Sequence, residues 1–249
     1  MAKKSYSHAF LQEEMMNLKS MESLNNYSQW IFDSIKDYFG KNVLEIGSGL
    51  GVFAEYLHHK HYHGIEINPV QLQYLKKKFK RYPQLTFSGH DIVTLNPKSF
   101  KQDCGNFDTV ICINVLEHIQ QDEQALRHMY DLLAPGGNLI LFVPALKSIY
   151  GTVDQADHHF RRYNKHDLCQ KIHHAKLIIT QQRYFNFFGI FGWYLHGKIL
   201  RTKIHPITHL SSFNAFVPLL RNIENLIPIP LGLSLLTICK KPTKQSKGQ

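Results

Sequence analysis

The stretch VLEIGSGLGVFAEYL, residues 43–57, places three glycines at alternate positions directly after a short apolar run. Such a run predicts a buried strand, and the residues after the glycines predict the start of a helix. A loop between a strand and a helix offers backbone amides and the positive end of the helix dipole to a ligand. The sequence therefore predicts a ligand site at Gly47, Ser48, Gly49 and Gly51.

Two features of this loop indicate which ligand it binds. The dinucleotide fingerprint is GxGxxG, whereas the spacing here is GxGxG, with Gly51 one residue early. Glu45 lies two residues before Gly47, where a carboxylate repels a pyrophosphate and attracts an ammonium group. We therefore expect the ligand to present an amino-acid end to this loop.

Strand and helix patterns alternate on both sides of the loop, which predicts a mainly parallel sheet with helices on both faces. An amphipathic helix is predicted over 23–39. The predicted strands are 42–47, 62–68, 85–92, 107–119 and 138–145, with later ones at 176–185 and 232–241. The predicted helices between them are 51–60, 69–82 and 122–133. Such sheets bind ligands outside the carboxyl ends of their strands.

Polar side chains also end the next two predicted strands. Glu66, followed by Ile67, ends the second strand, where a carboxylate can accept hydrogen bonds from both hydroxyls of a ribose. Asp91 ends the third strand and can accept from an adenine amino group, with Ile92 as an apolar contact. An amino-acid end, a ribose and an adenine on successive strand ends describe S-adenosylmethionine.

Five segments resemble, in order, the motifs of class I S-adenosylmethionine-dependent methyltransferases. They are VLEIGSGLG, GIEIN, GHDI, FDTVICINVLEHI and LLAPGGNLILFVP. The chain also resembles a group of bacterial small-molecule methyltransferases with NYxxWI and YGxxDxxxxHxRRY motifs, which fall here at 26–31 and 150–163. A third similar segment is 218–236, and His158 stands where that group tends to have glycine.

The resemblance implies a doubly wound, seven-stranded, mostly parallel Rossmann-like sheet whose last strand, 232–241, is antiparallel. A helical and aromatic insertion of about 185–230 would precede that strand, over the active-site face. The chain is expected to be a single methyltransferase domain over 1–249. Its expected parts are an N-terminal helical cap (1–40), a cofactor-binding core (41–145), a substrate-side region with the insertion and closing strands (146–240), and a tail (241–249).

Further cofactor contacts follow from the same resemblance. Asn114 and Val115 would lie beside the methionine part of S-adenosylmethionine, and His118 would touch the cofactor at the start of the next helix. Tyr27 and Trp30 would close over the cofactor, with packing in the core as the equal alternative. The expected product is S-adenosylhomocysteine.

The segment HHFRRY, 158–163, is predicted to act on the acceptor. His159 is a candidate general base, and the alternative is that His159 and Asp154 only pin the loop. Arg161 and Arg162 would grip a carboxylate or phosphate, and Tyr163 would order the loop. His118 and His159, with Arg162 and Tyr163, are the candidate catalytic residues.

The aromatic segment 184–201 is expected to be a lid over an apolar pocket. Peripheral contact with an anionic membrane and a homodimer face are the alternatives. The expected acceptor is a small molecule, apolar or lipid-like and acidic, methylated at oxygen or nitrogen.

The excess of ten basic residues (29 − 19) suits nucleic acid, an anionic membrane or a phosphorylated substrate. Nucleic acid is not favoured, because the chain lacks the NPPY-type and proline-cysteine motifs of enzymes that methylate bases. RNA methylation and a catalytically silent S-adenosylmethionine-binding module are the alternative functions.

The four cysteines show no ligand spacing, so we expect reduced thiols, no metal and a cytoplasmic location. No apolar stretch is long enough for a membrane-spanning helix, and the N-terminus does not resemble a secretory signal.

Overall fold

The computed structural model describes residues 24–202, 207–226 and 229–243, without the side chains of 207–211. Within these residues a seven-stranded sheet forms the centre of the protein, in the order β3-β2-β1-β4-β5-β7-β6. The strands are β1 (Asn42–Ile46), β2 (His61–Ile65), β3 (Leu85–Ser88), β4 (Phe107–Ile113), β5 (Leu133–Pro144), β6 (Ile178–Phe185) and β7 (Ser234–Lys240). Only β7 runs antiparallel to its neighbours. The predicted fold class is confirmed.

The central strands are apolar along their whole length because helices cover both faces of the sheet. Val110 and Ile111 are adjacent in β4 and point to opposite faces, yet both are fully buried. The helices, in chain order, are α1 (Asn25–Ile35), α2 (Val52–Tyr56), α3 (Pro69–Lys78), α4 (Pro97–Cys104), α5 (Asp122–Leu132), α6 (Thr152–Ala156), α7 (Lys165–His174), α8 (Gly189–Tyr194) and α9 (Ile207–Leu226). Short 3-10 turns follow α1, β4 and β5.

Two helices differ from the sequence-based prediction. α2 ends at Tyr56 rather than continuing to Lys60, whose amide closes a turn onto the carbonyl of Leu57. α4 was not predicted, because it buries a single apolar side chain, Phe100, and so shows no apolar periodicity. Its start does carry a signal, since the side chain of Asn96 caps it directly before a proline.

The aromatic insertion forms α8, a π-helical turn at Leu195–Ile199, and α9. α9 packs on α1: the side chain of Asn214 accepts from the amide of Asn26, and Arg221 pairs with Asp33 at 2.7 Å. Near its end, Glu224 accepts from the amides of Asn186 and Phe187, directly after β6. The position of the insertion over the active-site face stays a prediction. Within the three described ranges, no helix is both long and apolar enough to span a bilayer. The predictions for 1–23 and 244–249 lie outside the described residues.

Candidate cofactor and acceptor site

The glycines of the loop allow close packing of neighbouring elements. Gly47 and Gly51 have φ of 72° and 79°, a region that side chains disfavour. A Cβ atom at Gly47 would lie 2.5 Å from Cγ2 of Val115, and one at Gly51 would lie 2.5 Å from the ring of Phe79. The end of β4 and the face of α3 thus approach the loop at these two positions.

The backbone amides of the loop are largely used by the protein itself. The amides of Gly47 and Ser48 donate to the carbonyl of Ile65 at 2.9 and 3.2 Å, and that of Gly51 donates to Ser48 at 2.8 Å. The amide of Gly49 donates to a carboxylate oxygen of Glu66. The expectation that free amides face the ligand is therefore wrong for these four residues. A loop with its donors satisfied in this way is poorly suited to a pyrophosphate.

The side chain of Glu66 is fixed at the tip of β2, directly beside the loop. It is buried, and its oxygens accept from the amides of Gly49 and Asn68, both at 2.9 Å. A carboxylate offers about four acceptor positions, and the hydroxyls of a ribose are among the donors that it can accept from. The next residue, Ile67, exposes 62% of its surface although it is apolar. A fixed carboxylate beside an exposed apolar side chain fits the ribose and the base of a nucleoside.

Glu45 does not present an open carboxylate to the loop, in contrast to the expectation. It is 3% exposed, and the hydroxyl of Tyr62 on the adjacent strand donates to it. That hydroxyl also lies 3.3 Å from Oγ of Ser48 in the loop. Burial, reinforced by the charge of Glu66, raises the pKa of Glu45 to about 8. The sequence did not predict the contact between Tyr62 and Glu45. The attraction of an ammonium group to this loop stays a prediction.

Glu45→Gln is expected to make the stability of the protein less dependent on pH. The pKa of Glu45 is about 8 when folded and about 4.3 in an unfolded chain, so the folded state binds more protons between these values. Stability therefore falls as the pH rises from about 4.3 through about 8. Thermal unfolding of the variant should show a smaller loss of melting temperature from about pH 6 to 9 than the wild type.

The control for this experiment is Glu55→Gln, which changes an exposed carboxylate paired with Lys78 at 2.7 Å. That variant should follow the wild-type pH dependence closely, since exposed ion pairs contribute little to stability. The same pH dependence in Glu45→Gln and the wild type would contradict the assignment of a buried, protonated carboxyl.

The residues predicted to contact the adenine differ in their placement. Asp91 is exposed after β3, and one of its oxygens accepts from the amide of Val93 at 2.8 Å, which shapes the local turn. Its contact with an adenine stays a prediction. Ile92 is buried in the core among apolar side chains. The expectation of an apolar surface open to the ligand at Ile92 is therefore wrong.

Asn114 and Val115 lie at the carboxyl end of β4, next to the loop. Asn114 has φ of 51° and an exposed side chain, and asparagine is among the residues that tolerate this left-handed conformation. Val115 reaches Gly47, as described above. Both residues thus lie on the side of the loop where the methionine part of the cofactor was predicted.

The two aromatic residues of α1 take different positions. Trp30 is 1% exposed and its ring centre lies 4.1 Å from that of Phe185. It is a core residue, so the expectation that it closes over the cofactor is wrong and the packing alternative holds. Tyr27 is half-buried, and burial raises the pKa of its hydroxyl to about 12. Its contact with the cofactor stays a prediction.

A second group of polar side chains surrounds the buried carboxylate of Asp154. That carboxylate accepts from Nδ1 of His159 at 3.0 Å, Nε of Arg162 at 2.6 Å, Nε1 of Trp193 at 3.1 Å and the amide of Gly151 at 2.9 Å. Burial alone would raise the pKa of Asp154, but the hydrogen bond from His159 and the charge of Arg162 lower it. Asp154 is therefore a fixed anion that orients His159.

The two arginines of the segment are bound by groups of the protein. Arg162 is buried; besides its bond to Asp154, it donates to the carbonyl of Ala145 at 2.9 Å. Arg161 pairs with Asp122 at 2.6 Å. The expectation that these guanidinium groups grip an acceptor carboxylate or phosphate is wrong for the buried Arg162. For Arg161, whose side chain is 27% exposed, it stays a prediction.

Tyr163 is a positioning residue rather than a catalytic one. Its side chain is fully buried, and its hydroxyl bonds Asp122 at 3.0 Å and the carbonyl of Leu116 at 3.3 Å. Burial raises the pKa of this hydroxyl well above its usual value. The predicted role in ordering the loop fits these contacts, and the inclusion of Tyr163 among the catalytic candidates was wrong.

The bond from His159 to Asp154 uses Nδ1, so the other ring nitrogen, Nε2, is the candidate for proton transfer. Its Nε2 lies 4.0 Å from a carboxylate oxygen of Glu117, which is buried. Burial lowers the pKa of His159, but the hydrogen bond to Asp154 and the charge of Glu117 outweigh it, so that the pKa is raised. Burial in turn raises the pKa of Glu117 to about 7. Glu117 was not among the predicted site residues, although it directly precedes His118.

His118 lies at the exposed edge of this group of side chains. Its ring meets that of His159 edge-on, with the centres 4.7 Å apart. Donor atoms of Glu117, His118 and His159 all lie within 4.8 Å of one another, which is close enough for a shared metal ion. The expectation of no metal therefore remains a prediction to be tested.

The chain is similar to known methyltransferases. Residues 44–139 match the family model of a methyltransferase domain. A curated relative, the ubiquinone biosynthesis O-methyltransferase of Aeromonas salmonicida, is 28% identical over 120 residues, covering 45% of this chain and 47% of the relative. The chain thus spans about half the length of the curated relatives it matches first.

Two similar solved structures share the fold. The N-methyltransferase NodS from Bradyrhizobium japonicum, in complex with S-adenosylhomocysteine, is 15% identical, with a TM-score of 0.53 over 86% of this chain and 84% of that one. The [4+2]-cyclase SpnF is 16% identical, with a TM-score of 0.56 over 88% of this chain and 82% of that one. The fold alone thus accommodates different reactions.

Proposed function

We propose that the chain is an S-adenosylmethionine-dependent methyltransferase that methylates an oxygen or nitrogen atom of a small molecule. The observation that supports it most is the fixed carboxylate of Glu66 beside the exposed Ile67, at the loop within the matched methyltransferase domain. The Aeromonas salmonicida relative is an O-methyltransferase, which favours oxygen as the acceptor atom.

When bound, the cofactor supplies an electrophilic methyl group. The remaining task of the protein is to hold the acceptor in line and to accept a proton from an acceptor hydroxyl. In the tautomer whose Nδ1–H donates to Asp154, Nε2 of His159 is an acceptor. We assign to this nitrogen the role of general base.

The buried carboxylate of Glu117 assists that role. It lies 4.0 Å from Nε2 of His159, so its ionised form stabilises the positive charge that the ring acquires with the proton. Asp154 stabilises the same charge from the Nδ1 side. The exposed His118 borders the site and remains a candidate for contact with cofactor or acceptor.

The segment 184–201 is proposed as a wall of the acceptor pocket. Trp193 donates to Asp154, and the carbonyl of Gly197 accepts from Thr152 at 3.3 Å, which fixes this segment beside His159. Its aromatic side chains favour an apolar acceptor. The acidic group expected on the acceptor loses the support of Arg162, which is buried against Asp154.

The proposed function is tested by transfer of a labelled methyl group from S-adenosylmethionine. The acceptor panel contains apolar phenols, apolar amines and bulk RNA, with a reaction without acceptor as the control. Label in a phenol or an amine is the expected result. Label only in RNA would favour the RNA alternative, and cofactor binding without any transfer would favour the silent module.

The same assay tests the expectation of no metal. Dialysis against a chelator should leave the transfer rate unchanged if His159 acts as a base without a metal. A loss of activity that magnesium or zinc restores would contradict that expectation and assign the donor atoms of Glu117, His118 and His159 to a metal ion.

A further inference from the structure

A band of exposed apolar side chains borders the acceptor side of the protein. We call it the apolar rim; it comprises exposed residues of α8 and the π-helical turn that follows, and of α9. Its members are Phe191, Tyr194, Leu195, Ile199, Leu200, Phe216, Leu219 and Leu226. Exposed apolar residues scattered singly are ordinary, but a contiguous patch indicates a contact surface.

The α9 members of the rim form one row along the helix. Phe216, Leu219 and Leu226 are three and seven residues apart, so they share a face. The core face of the same helix carries Phe213 and Val217. α9 therefore has a second apolar face, which is not needed for its packing on α1.

The two helices that carry the rim approach each other at the end of α9. The carboxylate of Glu224 accepts from the amides of Asn186 and Phe187 at 3.0 and 2.7 Å. The ring of Phe187 lies 5.5 Å from that of Phe191. The last turn of α9 thus lies next to the start of α8, and Glu224 lies on the helix face that also carries Val217.

The segment of sequence that contains the rim is basic. The sequence contains no Asp or Glu between Asp167 and Glu224, and Glu224 is held by the two backbone amides. Lys198 and Arg201 are exposed within or next to the rim, and no ion pair to either is found among the described residues. A surface of aromatic and aliphatic side chains flanked by unpaired cations complements an anionic interface.

We propose that the apolar rim docks on an anionic phospholipid bilayer. A second copy of the chain fits less well, because a rim-to-rim contact would bring cations together without an acidic partner. The proposal goes beyond the methyltransferase function. If that function holds, an amphipathic acceptor could pass from the bilayer to the site, because Trp193 of the same segment bonds Asp154 at 3.1 Å.

The test is co-sedimentation of the full chain with lipid vesicles, without cofactor. One set of vesicles contains phosphatidylcholine alone, and the other contains equal parts of phosphatidylcholine and phosphatidylglycerol. Ile199→Asn removes a rim side chain, and Ile178→Asn makes the same change on β6, outside the rim, at a comparable exposure (61% against 53%).

The wild type is expected to bind the anionic vesicles, and raised salt should weaken that binding. Ile199→Asn should weaken it roughly tenfold, while Ile178→Asn should bind like the wild type. Three results would overturn the proposal: no binding to anionic vesicles, equal binding to both vesicle types, or equal loss in both variants. A dimer in sedimentation velocity that Ile199→Asn dissociates, without vesicle binding, would assign the rim to self-association instead.

Calorimetry with S-adenosylhomocysteine is run on the same preparations. Intact cofactor binding without vesicle binding overturns only the bilayer proposal. Vesicle binding without cofactor binding overturns only the proposed methyltransferase function.

Discussion

Glu66→Ala is expected to weaken the binding of S-adenosylmethionine roughly a hundredfold or more. The substitution removes the carboxylate that holds the amides of Gly49 and Asn68 and that is proposed to hold the ribose. Hydrogen bonds to a charged group contribute about 1.5–3 kcal/mol each, and the loss of two corresponds to about this factor. Titration calorimetry measures the dissociation constant directly.

A conservative variant and a control variant complete this experiment. Glu66→Gln keeps an acceptor oxygen and the side-chain shape, so we expect roughly a tenfold loss. Glu55→Ala removes an exposed carboxylate on α2 and should leave the affinity unchanged. A folded Glu66→Ala protein with wild-type affinity would contradict the proposed position of the cofactor.

His159→Ala is expected to lower kcat for an acceptor hydroxyl by roughly a hundredfold to ten-thousandfold. The variant removes the nitrogen that accepts the proton, while the loop at Gly47 and the carboxylate of Glu66 stay in place. The dissociation constant of the cofactor should therefore hardly change. His166→Ala, an exposed histidine on α7, is the control and should keep wild-type activity.

The pH dependence of kcat separates a base from a residue that only pins the loop. His159 acts as a base when neutral, and its pKa is raised above the usual value near 6.5. Activity should therefore increase as the pH rises through that pKa. His159→Gln should lose this rise and retain a low, nearly constant rate. If the rise persists in His159→Gln, the ring has a structural role, as the alternative interpretation of the sequence holds.

Much of the fold followed from the sequence because each parallel strand is a short apolar run with a helix after it. The position of Glu66 followed as well, since the ends of neighbouring parallel strands meet at one edge of the sheet. The antiparallel last strand was expected only from the resemblance, and the pairing of Ser234–Lys240 with β5 confirms it.

The contacts of single side chains could not be predicted in the same way, because they depend on how strands pair in register. Glu45 lies opposite Gly64, which places the Tyr62 side chain diagonally beside it on the same face. Nothing in the local sequence reveals that pairing. Likewise, the motif shows Asp154 and His159 five residues apart, but not that Trp193 and Arg162 complete the same cluster.

The most direct test of the account is a crystal structure of the protein with S-adenosylhomocysteine. We expect electron density for the ligand along the carboxyl ends of β1, β2 and β4, with both ribose hydroxyls within hydrogen-bonding distance of Glu66 and the base against Ile67. Density for the ligand at any other place, or a groove filled by the protein's own side chains despite saturating ligand, would contradict the central claim.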